Sequence, residues 1–589
     1  MRMLSHPHVV PRHTPRLLTT ATQIPQDACW PTPDEWAALN ASLAGKLIAT
    51  TPIAMPCYSG PSYNAAACAA VQAGWKDTAF RSQFPIGYSY ADFESCDIPW
   101  SLSSTCLLGN SPVYAVDATL PTDVSLALQF ARQKNLRTVV KTTGHDFLSR
   151  STGYGSLEIW MRNLRGGITV EPVYQPSIPC VSLGLSNPTP WSGSAITIRG
   201  GYSWSDVYPV AQANNVIVVG ASCPDVSAIG GYLLGGGYSA TTSMLGLAAD
   251  NLLEAEVVLP DGSQVVATAC SNPDIYAAIR GGGGGTYGVV TSAKLKAYPE
   301  APAISIQLTM APLTPNDTQL FIDVTSFLYQ SAVLLGDQGI GGRAGWTIDN
   351  PSSTLGGAGG AVLHMSLLAL AQPLSQVQAL FSPVVSALAY LNGSHLNIAV
   401  DYRPYPTYSA WFYDLGNVNA PPAGGIALSS RLLGRAELSD TAALRYMLHL
   451  AAGQPGEGVV ASVSLVGGPG LARADALSGA NPAWRQASLL HVVGRQWTAN
   501  ETAAQVENIH HDVTFVKGAA AAALAPDSGA YMNEGDARDP DYLRSFYGSQ
   551  LPFLQQVKRR VDPEGVLHCP TCMGSEQWVT DGSGRICKP

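Results

Sequence analysis

Between residues 110 and 300 the apolar positions move back and forth between a helical period and the alternation of strands. Residues 122–134 repeat their apolar side chains at helical spacing, and 137–141 form a short strand pattern that runs into a Thr-Thr-Gly-His turn. Residues 196–199 read as a strand, 204–214 as a helix and 217–219 as a strand. The patterns at 253–260 and 264–268 flank Asp261-Gly262, a dipeptide that favours tight reversal, so together they predict a hairpin. Residues 273–280 are helical and 288–298 alternate as a strand. Strands and short helices mixed in this order predict an α+β unit.

From about 301 to 500 the texture is different, with strand patterns at 305–310, 361–367 and 459–465 and helical patterns at 319–335 and 374–391. That alternation predicts a sheet with helices on one face. The first hundred residues are rich in Pro, Ser and Cys and predict an irregular cap with one helix at 33–44. The chain therefore divides into a cap at 1–109, an α+β unit at 110–300, a second unit at 301–500 and a C-terminal segment at 501–589.

Composition narrows the partner. A chain of 589 residues exceeds what one core supports, and 46% hydrophobic with 13% charged residues describes a globular protein. The formal net charge of −9, with no long basic run, speaks against a nucleic-acid partner and leaves a small molecule. No run approaches the roughly 18 apolar residues of a membrane span. Glycine, at 58 residues, gathers at 235–237 and 281–285, where backbone can approach something bulky.

The eleven cysteines cluster at the two ends, which predicts disulfide staples with ten paired and one left over. Cys223, mid-chain in a glycine-rich setting, is the candidate for the odd one. Asn40, Asn316, Asn392 and Asn500 each begin a glycosylation sequon, in keeping with an oxidising compartment. Residues 1–27 lack the apolar stretch of about 7 to 15 residues that a secretory signal needs. The expectation is a secretory or extracellular protein whose start is incomplete or wrongly assigned, the alternative being a cytosolic one with reduced thiols.

Two side chains stand out chemically. His145, after Thr142-Thr143-Gly144, and Cys223, before Pro224, place a lone imidazole and a lone thiol on loops of one unit, and both can bond a flavin ring covalently. The competing readings are an ordinary turn histidine and a disulfide cysteine. Other patterns carry less. The run at 281–285 follows a helix and precedes a strand, the reverse of a dinucleotide-binding Rossmann loop. Cys569 and Cys572 lack a second cysteine pair for zinc and read as disulfide partners. His510 and His511 would point about 100° apart on a helix, so they read as surface or interface residues, and no metal site is expected. No G-x-S-x-G nucleophile elbow occurs.

Gly144-His145-Asp146, the run 220–237 with Cys223-Pro224 and Gly230-Gly231, and the stretches 247–262 and 280–290 resemble the PCMH-type FAD-binding domain of the vanillyl-alcohol oxidase superfamily. Within it the chain is most similar to the berberine bridge enzyme-like oxidases of fungal secondary metabolism. Tyr531-Met532-Asn533-Glu534 and Asp562-Pro563 resemble that branch's C-terminal return to the flavin domain. The resemblance implies a two-domain α+β fold, its substrate domain a mixed or antiparallel sheet covered by helices. It implies FAD bonded by His145 at the 8α-methyl carbon and by Cys223 at C6. Thr142, Thr143, Gly144, Gly230, Gly231, Gly235 and Gly236 would serve the pyrophosphate, Val289 and Val290 would flank the ring near Tyr287 and Gly288, and Asn533 would join the cofactor contacts. Two tethers would hold the ring in an open site and make it a stronger electron acceptor. The chain departs from many relatives at Gly235-Gly236-Gly237-Tyr238-Ser239, where they carry His in place of Tyr238.

Oxidation by a flavin needs a group that takes the substrate's proton, usually a tyrosine or a carboxylate in a dry pocket. The candidates are Tyr531, Glu534 and Tyr408, with Tyr402 and Tyr405 beside the last in an aromatic segment. The expected activity is an FAD-linked oxidase that takes hydride from an organic alcohol, sugar or secondary-metabolite intermediate and passes electrons to O2, giving H2O2. The alternative is a redox-neutral isomerisation or cyclisation driven by Glu534 as an acid, since burial favours its neutral form. A non-enzymatic flavin-binding role is a third reading.

Overall fold

A short parallel sheet carries the Thr-Thr-Gly-His turn. Strands Tyr114–Asp117, Leu157–Trp160 and Thr138–Lys141 run parallel with Leu157–Trp160 in the middle, and Leu47–Ala49 adds an antiparallel edge. Every residue of the central strand is buried, as both-face coverage of a parallel sheet requires. Helix Pro121–Gln133 covers one face with Val124, Ala127, Leu128 and Ala131. Its first turn is pinned by Asp123, which accepts from the Leu120 backbone N–H and from Lys46. These details belong to a computed structural model that describes residues 20–90, 96, 98, 105–187, 190–349, 360–417, 425–473, 477–497, 501–580 and 585–588. Residues 1–19 and Asn500, the first residue of its sequon, lie outside them.

The second sheet is antiparallel, in the order Gln264–Thr268, Leu252–Val258, Val289–Pro299, Ser194–Gly200, Arg165–Glu171, with Val216–Ile217 paired to Val289–Pro299. The hairpin forms where Asp261-Gly262 predicts it: Gln264 pairs with Val258 and Gly262 takes φ +84°, a conformation that favours glycine.

The third sheet has seven strands, all antiparallel, in the order Leu396–Tyr405, Ala303–Pro312, Val362–Leu370, Gly341–Thr347, Val459–Leu465, Ala487–Trp497, Gly425–Gly434. Helices Thr318–Asp337, Leu374–Leu388 and Thr441–Ala452 bury Phe321, Leu328, Val377, Phe381, Leu444 and Leu448 in one core with that sheet. Along Gly341–Thr347, Gly342, Ala344 and Trp346 are buried while Arg343 and Gly345 are exposed. On this strand one face packs on helices and the other is open, while further along the sheet Leu432, Leu490 and Val492 pack in a second core with Leu247 and Tyr531.

The C-terminal segment reaches back to the first two sheets. Met532, Leu554, Val557 and Met573 join the core of the antiparallel sheet, and Val566 and Leu567 join that of the parallel one. A bidentate ion pair ties the unit of the seven-stranded sheet to the 110–300 unit: Arg485 Nη1 and Nη2 lie 2.7 Å and 2.6 Å from the Asp250 carboxylate. Both side chains are largely buried, so Arg485→Met strands the carboxylate. We expect it to lower unfolding free energy by about 3–5 kcal/mol, read by urea denaturation.

Four disulfides form: Cys57–Cys68, Cys96–Cys106, Cys180–Cys270 and Cys569–Cys572. Cys223 carries a free thiol, but so does the exposed Cys29, which corrects the expectation of one unpaired cysteine. No described helix is long and apolar enough to cross a membrane.

Candidate active site

A cavity of about 340 Å³ lies between the turn after Thr138–Lys141, the loops at 221–231 and 284–290, and the open face of the seven-stranded sheet. His145, Cys223, Thr142, Thr143, Gly144, Gly230, Gly231, Val289, Val290, Asn533, Tyr531 and Glu534 all line it. The turn that presents His145 is built on two devices. Gly144 takes φ +78°, and a Cβ there would sit 2.6 Å from the Gly87 carbonyl. Asp146 then accepts from the backbone N–H of Leu148 and Ser151 at 2.9 Å and 2.8 Å.

The imidazole stands edge-on to Tyr90 and Phe147, and its Nε2 lies 3.6 Å from Cys223 Sγ. Burial pulls His145 down to about 4 and pushes the Cys223 thiol up to about 11. At neutral pH both are uncharged, so the ring nitrogen keeps a free lone pair.

The glycines form a cradle with space above it. A Cβ on Gly231 would have Asn533 Oδ1 at 3.8 Å as its nearest neighbour, and one on Gly285 would meet Val140 at 3.8 Å, so packing alone does not demand glycine there. Around the same space Tyr90 Oη, Ser227 Oγ and Trp411 Nε1 are buried without a hydrogen-bond partner among the described residues. Buried polar atoms are rarely left so. A large ligand with ring and phosphate oxygens suits both the empty cradle and the unpaired groups, so the residues present fit FAD.

Two sequence expectations are corrected. Gly235 and Gly236 sit behind the cradle: a Cβ on Gly235 would meet Asn533 Nδ2 at 2.6 Å and the Gly231 carbonyl at 2.8 Å. The missing side chain of Gly235 serves packing of the C-terminal segment, where Asn533 donates to the Gly231 carbonyl and the Tyr531 hydroxyl, each at 2.8 Å, whereas Gly236 takes φ +117°, a conformation that favours glycine. Tyr408 is likewise outside the cavity, buried against Trp411 and Phe412 in a separate crevice beside Tyr208. Tyr402 packs on Phe381, and Tyr405 donates to Asp414. From that aromatic segment it is Trp411 that reaches the cavity.

Glu534 is the group poised to move a proton. Both its oxygens accept from Tyr238 Oη, at 3.2 Å and 3.0 Å. Burial raises the carboxyl to about 7, against the opposing pull of Tyr238's hydrogen bond and Arg343's charge. Tyr531 packs edge-on to Tyr238, and burial pushes its phenol well above the usual range. Sequence reasoning noted Tyr238 only as a departure and missed Arg343, Ser366, Ser464, Trp411 and Tyr90, all lining residues. Tyr90 comes from the cap, where nothing in the pattern marked it. His510 and His511 pack on Trp497 and Phe515, and no described cluster of three ligating side chains could hold a metal.

A parallel and an antiparallel sheet meeting at a glycine cradle, with an imidazole and a thiol in one cavity beneath a helix-backed sheet, define a flavoprotein of the vanillyl-alcohol oxidase type. Residues 112–268 match the family described as FAD binding domain, and 530–571 match the one described as Berberine and berberine like. An FAD-linked oxidoreductase of Hypomyces subiculosus, hmp9, is 38% identical over 96% of this chain and 90% of its own length. The crystal structure of the VAO-type flavoprotein MtVAO713 of Myceliophthora thermophila superposes with TM-score 0.91 at 35% identity, covering 97% of this chain and all of that one. The bifunctional decalin synthase calF of Penicillium decumbens is 31% identical over 98% of this chain and 96% of its own. The chain belongs to the berberine bridge enzyme-like FAD-linked oxidoreductases. It is an enzyme, and FAD is its cofactor.

Proposed function

We propose that this enzyme is an oxidase of a small organic molecule, with His145 and Cys223 holding FAD covalently and Glu534 taking the substrate's proton. The observation that carries this reading is the placement of Glu534, held by Tyr238, in the same cavity as the 3.6 Å His145–Cys223 pair. The chemistry that FAD supplies when bound is two-electron oxidation of the substrate, with O2 as final acceptor and H2O2 as product. Thr142, Thr143, Gly144, Gly230 and Gly231 would line the phosphate path, and Val289 and Val290 would wall the ring.

The protein's own contribution is orientation and proton transfer. Tyr238 keeps its proton and fixes both carboxylate oxygens of Glu534, because burial with a neighbouring carboxylate disfavours phenolate. The ionised carboxylate accepts the proton of a substrate O–H or N–H. Trp411, Leu415 and Tyr232 supply apolar walls that keep water away. The four disulfides support passage through an oxidising compartment.

A second reading has its own observation: a carboxyl titrating near 7 is also an effective acid, and a relative is named a decalin synthase. The test offers the purified yellow protein a panel of alcohols and unsaturated acids. Oxidase chemistry gives H2O2 equal to O2 consumed and bleaching of the flavin without oxygen. Conversion of a substrate to an isomer with no bleaching and no O2 uptake rejects it in favour of acid chemistry.

A further inference from the structure

The open face of the seven-stranded sheet presents a row of hydrogen-bond donors to the cavity. Ser366, Arg343 and Ser464 stand directly opposite one another on three adjacent strands and all line it. Ser366 Oγ accepts from Gln307 Nε2 at 2.7 Å, so its own O–H is left to donate into the cavity. Arg343 makes no hydrogen bond or ion pair to the described residues. The other charged lining residues are committed: Asp146 to its turn, Arg150 to Thr571, Glu534 to Tyr238. Arg343 is exposed toward the cavity, and its guanidinium acts electrostatically on Tyr238, Cys223 and Glu534 without bonding any of them, while the protein around it lowers its proton affinity.

We infer that Arg343, with Ser366, is the receptor for an anionic oxygen of the substrate, and that the substrate is an organic acid whose carboxylate sits on the guanidinium fork. A planar two-pronged donor matches a carboxylate in a way that neither an alcohol nor a sugar hydroxyl does. Elsewhere the same cavity is lined by Trp411, Leu415 and Tyr232, apolar surface that suits a hydrocarbon or unsaturated body. The inference deepens the oxidase reading and rests on it. In that arrangement the bound acid also neutralises the charge that opposes protonation of Glu534.

The test titrates the flavin-loaded protein with benzoate, cinnamate and hexanoate and with their primary amides, by calorimetry and by the shift each causes in the flavin absorbance. At least one carboxylate binds about tenfold or more tightly than its amide. Arg343→Met removes that preference and Arg343→Lys, which keeps charge but not the fork, restores part of it, with flavin content equal in all three proteins. Should no carboxylate bind more tightly than its amide, or should Arg343→Met and Arg343→Lys both keep the full preference, the inference falls. A colourless protein would instead bring down the flavin reading beneath it.

Discussion

Protein precipitated with acid or denaturant retains its yellow colour in the pellet, and so do His145→Ala and Cys223→Ala taken singly. The double variant releases flavin to the supernatant. The expectation follows from two separate nucleophiles that face one cavity 3.6 Å apart, each on its own loop, so loss of one leaves the other in reach. Neither is spent elsewhere: Cys223 is outside the four disulfides, and burial holds the imidazole neutral at physiological pH. Intact mass would show one FAD adduct on the wild type and on each single variant, and none on the double. Colour in the wild-type supernatant would sink covalent attachment while leaving FAD binding itself untouched. Colour lost with His145→Ala alone would leave His145 as the single tether and return Cys223 to an ordinary cavity thiol. A single tether also withdraws less electron density from the ring, so oxidation of a common substrate slows in each single variant.

Much of this site was legible because its signals are local. Asp261-Gly262 encodes its reversal within two residues, and Gly144 needs its positive φ wherever the chain is placed. The strands that escaped notice show the opposite situation. Gly341–Thr347 holds three glycines and an arginine in seven residues, a poor strand by propensity, and it exists because Val362–Leu370 and Val459–Leu465 pair with it on both sides. Arg343 is therefore a tertiary fact. Glycine runs misled for a related reason: Gly231 is open toward the cavity while Gly235, four residues on, is closed by Asn533. Sequence shows that a Cβ is absent but not what would have occupied its place. Tyr408 failed as a candidate because an aromatic segment has two sides, and Tyr408 lies on the side of Tyr208 and Phe412.

Glu534→Gln is expected to cut turnover by about 10²–10⁴-fold with flavin content unchanged, the range that loss of a positioned proton acceptor produces. The pH profile carries the sharper information. Burial raises the Glu534 carboxyl to about 7, so the base form dominates above that pH and the neutral form below it. Under the oxidase reading kcat/KM climbs through about pH 7 to a plateau, and Glu534→Gln abolishes that limb. Tyr238→Phe supplies the independent check. The phenol's hydrogen bond favours the charged carboxylate, so its removal raises the carboxyl further and moves the limb to higher pH without erasing it. A packing role for Tyr238 would lower the plateau and leave the midpoint where it was. Acid-driven chemistry inverts the sign: activity falls through the same pH, and Tyr238→Phe extends it upward. One titration curve and one variant thus separate the two uses of a single carboxyl, because the midpoint belongs to the residue and the direction of the limb belongs to the reaction.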